Sequence, residues 1–198
     1  MAHMEPLPRD HSPELQEDFR LFEEILGFVP NSLLTMQRRP EIVKGFGELT
    51  KAVMDPDGSV DPGFKRILAH LASHASGCQY CEAHSLVAAG LKGVEREKVE
   101  ALWDYPTSPL YSEAERAAMD FALAAASVPN RVDEALFERL RRHWSEGEIV
   151  EILAAISLYG FLNRWNDSMA TELEAAPREL GDQVLGERGW TGGKHVDP

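Results

Sequence analysis

The sequence predicts an all-α protein. Apolar residues recur at helical spacing along most of its 198 residues, helix start and stop residues punctuate them, and period-two runs of β-branched residues are nearly absent. A hydrophobic fraction of 43% supports one compact core. The expected organisation is a single all-helical domain over 1–198. Within it, a helical half at 62–102 carries both cysteines, a second helical half occupies 112–174, and an extended tail runs over 186–198.

Each element has a local reason. Leu15, Phe19, Phe22 and Leu26 make one face of a helix over 13–26, which Gly27 ends before Pro30-Asn31 starts another segment. A second amphipathic stretch covers 42–54, closed by the turn Asp55-Pro56-Asp57-Gly58. Asp61 followed by Pro62 is an N-cap with proline at the first helical position, and that helix is expected to run to about Ala75. Ser76-Gly77 interrupts it, and a new helix opens at Cys78 and runs to Ala89 with Gly90 as its cap. A short helix over 94–102 precedes a linker marked by Pro106 and Pro109. Ser112 and Glu115 have capping-box spacing ahead of a small-residue helix over 117–126. Pro129-Asn130 breaks the chain, and Asp133 caps 134–143, where Arg139, Arg141, Arg142 and His143 place positive charge in a last helical turn. Ser145 and Glu148 open a long helix expected to reach Glu174 before Pro177 stops it. The two halves, each helix, turn, then helix, echo one another loosely.

Composition excludes several classes. With 33 acidic against 20 basic residues the net charge is −13, which repels nucleic acid and anionic lipid. No apolar run is long enough for a bilayer span, and the N-terminus lacks an apolar signal core. Met1 to His3 reads as a cloning remnant with Met4 as the natural start, and the expected compartment is the cytoplasm.

The two cysteines, Cys78 and Cys81, lie three residues apart and cannot staple distant segments. On the first turn of a helix such a pair can close a disulfide with little strain. Exposed backbone N–H groups and the helix dipole there favour a thiolate, so a lowered thiol pKa is expected. His84 follows Cys81 by one turn and is placed to move a proton. His70, His74 and Glu82 are further relay candidates. Three readings stand together: a redox pair, two buried small residues, and a metal site using Cys78, Cys81, His84 and His74. The run Asn163-Arg164-Trp165-Asn166-Asp167 puts polar groups in an apolar helix. A helix–helix lock or an oligomer contact is the favoured account of it, and a polar network beside the thiols the other. Trp190 in the tail is placed to dock onto a groove.

Gly77-Cys78-Gln79-Tyr80-Cys81 with His84, followed by Ala88-Ala89-Gly90, resembles the carboxymuconolactone decarboxylase and alkylhydroperoxidase D superfamily, in particular its peroxidase-related branch. Gly27-Phe28-Val29-Pro30-Asn31, Ser112 to Ala117, Asn163-Arg164, and Trp190 with Gly193-Lys194-His195 carry the likeness along most of the chain. The resemblance implies an alkylhydroperoxidase D-like helical bundle, a homo-oligomer, and thiol peroxidase chemistry on a small peroxide with an external thiol reductant. No cofactor is expected. The resemblance makes Cys81 the peroxidatic thiol, Cys78 the resolving one and His84 part of a proton relay. A redox sensor or interaction module using the same thiols is an alternative. Two departures stand out: the family's histidine falls four residues after the second cysteine rather than three, and Arg66 occupies the position of a relay glutamate. The carboxylate end of the relay is therefore missing from the pattern, with His70, His74 or Glu82 as substitutes.

Overall fold

The computed structural model describes residues 2–196. Met1, from the expected N-terminal remnant, and Asp197 and Pro198, the last two positions of the expected tail, lie outside the described residues. Among the described residues ten α-helices follow one another: α1 Gln16–Leu26, α2 Asn31–Met36, α3 Pro40–Val53, α4 Pro62–Ser76, α5 Gln79–Leu91, α6 Arg96–Glu100, α7 Glu113–Ala126, α8 Glu134–Arg141, α9 Glu146–Met169 and α10 Ala175–Leu185. Short 3-10 turns at Pro13–Leu15, Leu102–Asp104, Gly186–Arg188 and Gly193–His195 complete the order, and the described residues contain no strand. None of the helices is long and apolar enough to cross a membrane.

The caps read from sequence are formed. The Asp61 carboxylate accepts from Phe64 N at 2.7 Å, and Ser112 with Glu115 and Ser145 with Glu148 close both capping boxes. The centre of the molecule is α4, buried continuously from Gly63 to Ser73 and packed against α5, α7 and α9. Phe64, Leu68, Met119, Phe121, Leu140 and Ile152 make one core on its α7 side. Leu15, Phe19, Leu33, Val43 and Phe46 make a second with Ala155 and Leu158 of α9. Ala69, Cys78, Tyr80, Cys81, Ala83, Tyr159 and Leu173 make a third. Each large side chain buried in these clusters contributes roughly 1.5–3 kcal/mol, and α4 and α9 knit the clusters together.

Four local expectations are corrected. The long helix ends at Met169, not Glu174: Ala170 takes a left-handed conformation (φ 46°) and the chain leaves the axis there. Pro177 does not stop a helix but lies in the first turn of α10, where a missing N–H costs nothing. Gly90 lies inside α5, and the reversal after it is made by Gly93 at φ 80°. The tail is not extended. Leu173 N donates to His195 O at 2.7 Å, the His195 ring is buried with Nδ1 2.8 Å from Thr171 O, and Trp190 lies over Gly181. A Cβ at position 181 would fall 2.5 Å from the indole, so glycine there makes the docking possible.

Candidate active site

The site begins with the break between α4 and α5. Gly77 takes φ 74°, its N–H reaching His74 O, and Cys78 N donates to Ser73 O at 3.0 Å, a Schellman arrangement. Cys78 then serves as the N-cap of α5, its Sγ accepting from Cys81 N at 3.4 Å. One residue thus closes one helix and opens the next, which holds both thiols at the buried start of α5. Both are free and buried.

The pair differs in what it faces. Cys81 lines a cavity of about 50 Å³, counted as space open to the centre of a water molecule, together with His84, Tyr80, Arg66, Tyr159 and Asn166. Phe22, Ile25, Leu26, Leu33 and Leu162 supply its apolar wall, and Cys78 is not part of the lining. By that measure the space holds about three to five waters, on the order of one substituted ring. Asn166 Nδ2 donates to Cys81 Sγ at 3.4 Å.

His84 is fixed by a carboxylate the sequence pattern did not reveal. Its Nε2 lies 2.6 Å from Glu174 Oε2. The other oxygen of Glu174 accepts from Tyr80 Oη at 2.9 Å and from the backbone N–H of Asn31 at 2.6 Å. Tyr80 stacks on the His84 ring at 4.2 Å, and Phe28 meets its edge at 5.6 Å. Burial alone would raise the Glu174 carboxyl, but the charge and hydrogen bond of His84 and the Asn31 N–H hold it below the ordinary value. The helix break at Ala170 makes this possible, because it turns the chain back toward α5. Asn31, from the Gly27–Asn31 segment that carries part of the family resemblance, reaches this carboxylate only through tertiary packing.

The expected relay substitutes are elsewhere. His74 Nδ1 pairs with Glu82 Oε1 at 2.8 Å, and His70 Nδ1 faces Glu82 O at 3.0 Å and Ser85 Oγ at 3.1 Å. His70, His74 and Glu82 line a separate pocket with Trp103 and Trp190, and none of them lines the cavity of Cys81. The postulated metal ligands are likewise drawn apart, His74 to Glu82 and His84 to Glu174. No group of three or more His, Cys, Asp or Glu among the described residues is disposed to hold a metal ion.

The expectation of an acidic thiol needs correction for Cys81. Burial pushes it well up, the neighbouring Cys78 adds to that, and the Asn166 amide works against it. Desolvation outweighs the helix start. The polar run in α9 divides its roles. Asn163 locks α9 to α4 through Ala72 O at 3.4 Å, Arg164 is exposed, and Asn166 touches the thiol. The favoured lock is right for Asn163, and the network beside the thiols is right for Asn166.

Fold and site define an all-helical protein with an alkylhydroperoxidase D-like fold and a buried dithiol at a helix start. The chain belongs to the carboxymuconolactone decarboxylase family, whose model matches residues 40–124. Among solved structures it is 40% identical to a cysteine-to-alanine variant of the debrominase Bmp8 in complex with 2,3,4-tribromopyrrole, covering 91% of this chain and 96% of that one with a TM-score of 0.87. A peroxidase-related protein from Ralstonia eutropha JMP134 shares the fold at 23% identity and a TM-score of 0.74, with 98% and 96% of the two chains covered. YnjA of Escherichia coli is 29% identical over 110 residues, 56% of this chain and 60% of YnjA. The chain therefore matches less than two thirds of that relative's length.

Proposed function

We propose that this protein is a dithiol-dependent reductase whose substrate is a small halogenated ring held in the cavity of Cys81. The observation that carries the reading is that Cys81, alone of the pair, lines a ring-sized apolar cavity beside a carboxylate-held histidine. Similarity to a debrominase favours a carbon–halogen bond as the target.

The chemistry balances with the residues in place. Cys81 sulfur takes the halogen, and the electron pair of the carbon–halogen bond stays on the ring carbon, which accepts a proton from the His84 side of the cavity. Cys78 sulfur then attacks Cys81 sulfur, halide leaves, and a Cys78–Cys81 disulfide forms. Two external thiols restore the pair and become a disulfide. Overall, one carbon–halogen bond becomes carbon–hydrogen, two thiols are oxidised, and one halide and one proton are released. The Glu174 carboxylate keeps the His84 ring oriented, as a buried carboxylate does for the general acid–base histidine of a catalytic triad.

A second reading has the same thiols and a different oxidant. With an organic hydroperoxide, Cys81 would become a sulfenic acid and condense with Cys78, releasing alcohol and water. The fold shared with a peroxidase-related protein supports keeping it.

The deciding assay supplies dithiothreitol with either a polybrominated pyrrole or cumene hydroperoxide. Bromide is read by ion chromatography and peroxide loss by colour reaction. We expect one bromide per dithiothreitol oxidised, and background rates in Cys81→Ser and Cys78→Ser. Turnover that survives Cys81→Ser would remove both readings. Peroxide loss without bromide release would select the second.

A further inference from the structure

Lys65 and Arg66 are neighbours on α4, both carry a positive charge, and both are buried, at 1% and 5% exposure. Their surroundings differ. The Lys65 ammonium is neutralised by Glu151 at 2.7 Å and also donates to Val53 O at 3.1 Å. The Arg66 guanidinium makes one hydrogen bond, to Tyr159 Oη at 3.2 Å, and among the described residues no carboxylate lies within ion-pair distance of it.

A guanidinium stays charged at any pH a protein meets, so deprotonation cannot relieve it. Leaving such a group buried without a counter-charge is strongly unfavourable. Cys81 is a buried thiol pushed well above its ordinary value, and the Glu174 carboxylate is taken up by His84, Tyr80 and the Asn31 N–H, so neither supplies Arg66 with a counter-charge. Arg66 lines the cavity, whose wall it shares with Tyr159, Cys81 and His84.

We propose that Arg66 is the anion-recognition residue of this cavity, and that its ligand is a halogenated ring carrying one negative charge, an ionised O–H or N–H. The proposal rests on reading the cavity as a substrate site and adds the charge of the substrate. Polyhalogenation makes ring O–H and N–H groups acidic, so the molecules with the most reducible halogens are also those that ionise near neutral pH. The ring sits against the apolar wall, its anionic atom meets the Arg66 fork, and the halogen is left to face Cys81. The cation then steadies the negative ring as the halogen passes to sulfur and the electron pair of the carbon–halogen bond stays on the ring carbon. Arg66 thus stands where the related pattern has a glutamate because an anionic substrate would be repelled by a second carboxylate.

Binding tests this without turnover. The probes are 2,4,6-tribromophenol and its methyl ether, titrated calorimetrically into the Cys81→Ser full chain. The phenol is expected to bind at least about tenfold more tightly than the ether, a difference of about 1.4 kcal/mol. Its affinity should follow the ionised fraction as pH is varied. Arg66→Met, close in volume and uncharged, should bring the phenolate down to the ether's affinity and leave the ether unchanged, while Arg66→Lys should restore part of it. Relief of an unpaired buried charge should also raise the melting temperature of the ligand-free Arg66→Met protein, which separates loss of binding from loss of folding. Equal binding of phenol and ether, phenolate binding untouched by Arg66→Met, or no binding of either probe would each overturn the proposal. Arg66-dependent phenolate binding in a protein that releases no bromide would uphold this site and remove the reductase reading instead.

Discussion

Glu174 shows how much one side chain can hold. Three groups converge on its carboxylate: the His84 ring, the Tyr80 hydroxyl and the Asn31 N–H. Glu174→Gln keeps the shape and removes the charge, and the expected loss is about 2 kcal/mol of stability near neutrality. The sign with pH follows from the direction of its shift. A carboxyl held below its ordinary 4.5 when folded contributes stability that is present above that value and is lost as pH falls through the lower folded value. The gap between the parent and Glu174→Gln in urea melts should therefore close on going from pH 6 to pH 3; a gap independent of pH would remove the charge from the account. Cys81 has its own signature. Because burial raises its thiol, alkylation of Cys81 by iodoacetamide in Cys78→Ser should accelerate steadily on the alkaline side of neutrality. A rate already at its plateau below pH 7 would show an acidic thiol instead.

At the scale of elements, two reversals do most of the positioning. Gly77 lets α4 stop and α5 start within two residues, which places Cys78 as a cap and Cys81 on the first turn. Ala170 does the same for α9 with a less suitable residue, since a left-handed conformation costs an alanine about 1 kcal/mol. Ala170→Gly should raise stability by about 0.5–1 kcal/mol in thermal melts without moving Glu174. The tail depends on the absence of a side chain at Gly181. Gly181→Val should push Trp190 off α10, read as a red shift of its fluorescence and as faster proteolysis after residue 186. An unaltered tail in that variant would mean that the His195 and Leu173 contacts hold it alone.

At the scale of the molecule, α4 and α5 form the spine, and two separate pockets open on the dithiol region. One is apolar and contains Cys81. The other is walled by Trp103 and Trp190 and holds the His74–Glu82 pair. Val150, Leu153 and Phe161 are exposed along one stripe of α9, and we propose that stripe as the contact surface of the homo-oligomer that the family resemblance implies. Sedimentation should give a mass above the 22.1 kDa of one chain, and Leu153→Asp should bring it down to that value. A parent protein already at 22.1 kDa would leave the stripe without a partner copy.

The sequence by itself determined most of the helices, the caps at Asp61, Ser112, Asp133 and Ser145, and the thiol pair, but not the ends of α5 and α9 or the existence of α10. These depend on residues within one or two turns of each other, so Asp61-Pro62, both Ser-Glu boxes and Ser76-Gly77-Cys78 are legible as local signals. It also pointed to the family through Cys78, Cys81, His84 and the Pro30-Asn31 segment. Tertiary structure alone decided the rest. The carboxylate that meets His84 lies 90 residues further on, and it arrives through a helix break at an alanine that no propensity marks. Which cysteine faces a cavity, which asparagine touches a thiol, and which of two adjacent buried cations is left without a carboxylate depend on how α4, α5 and α9 pack. Contacts between distant segments are set by that packing, which local sequence pattern does not encode.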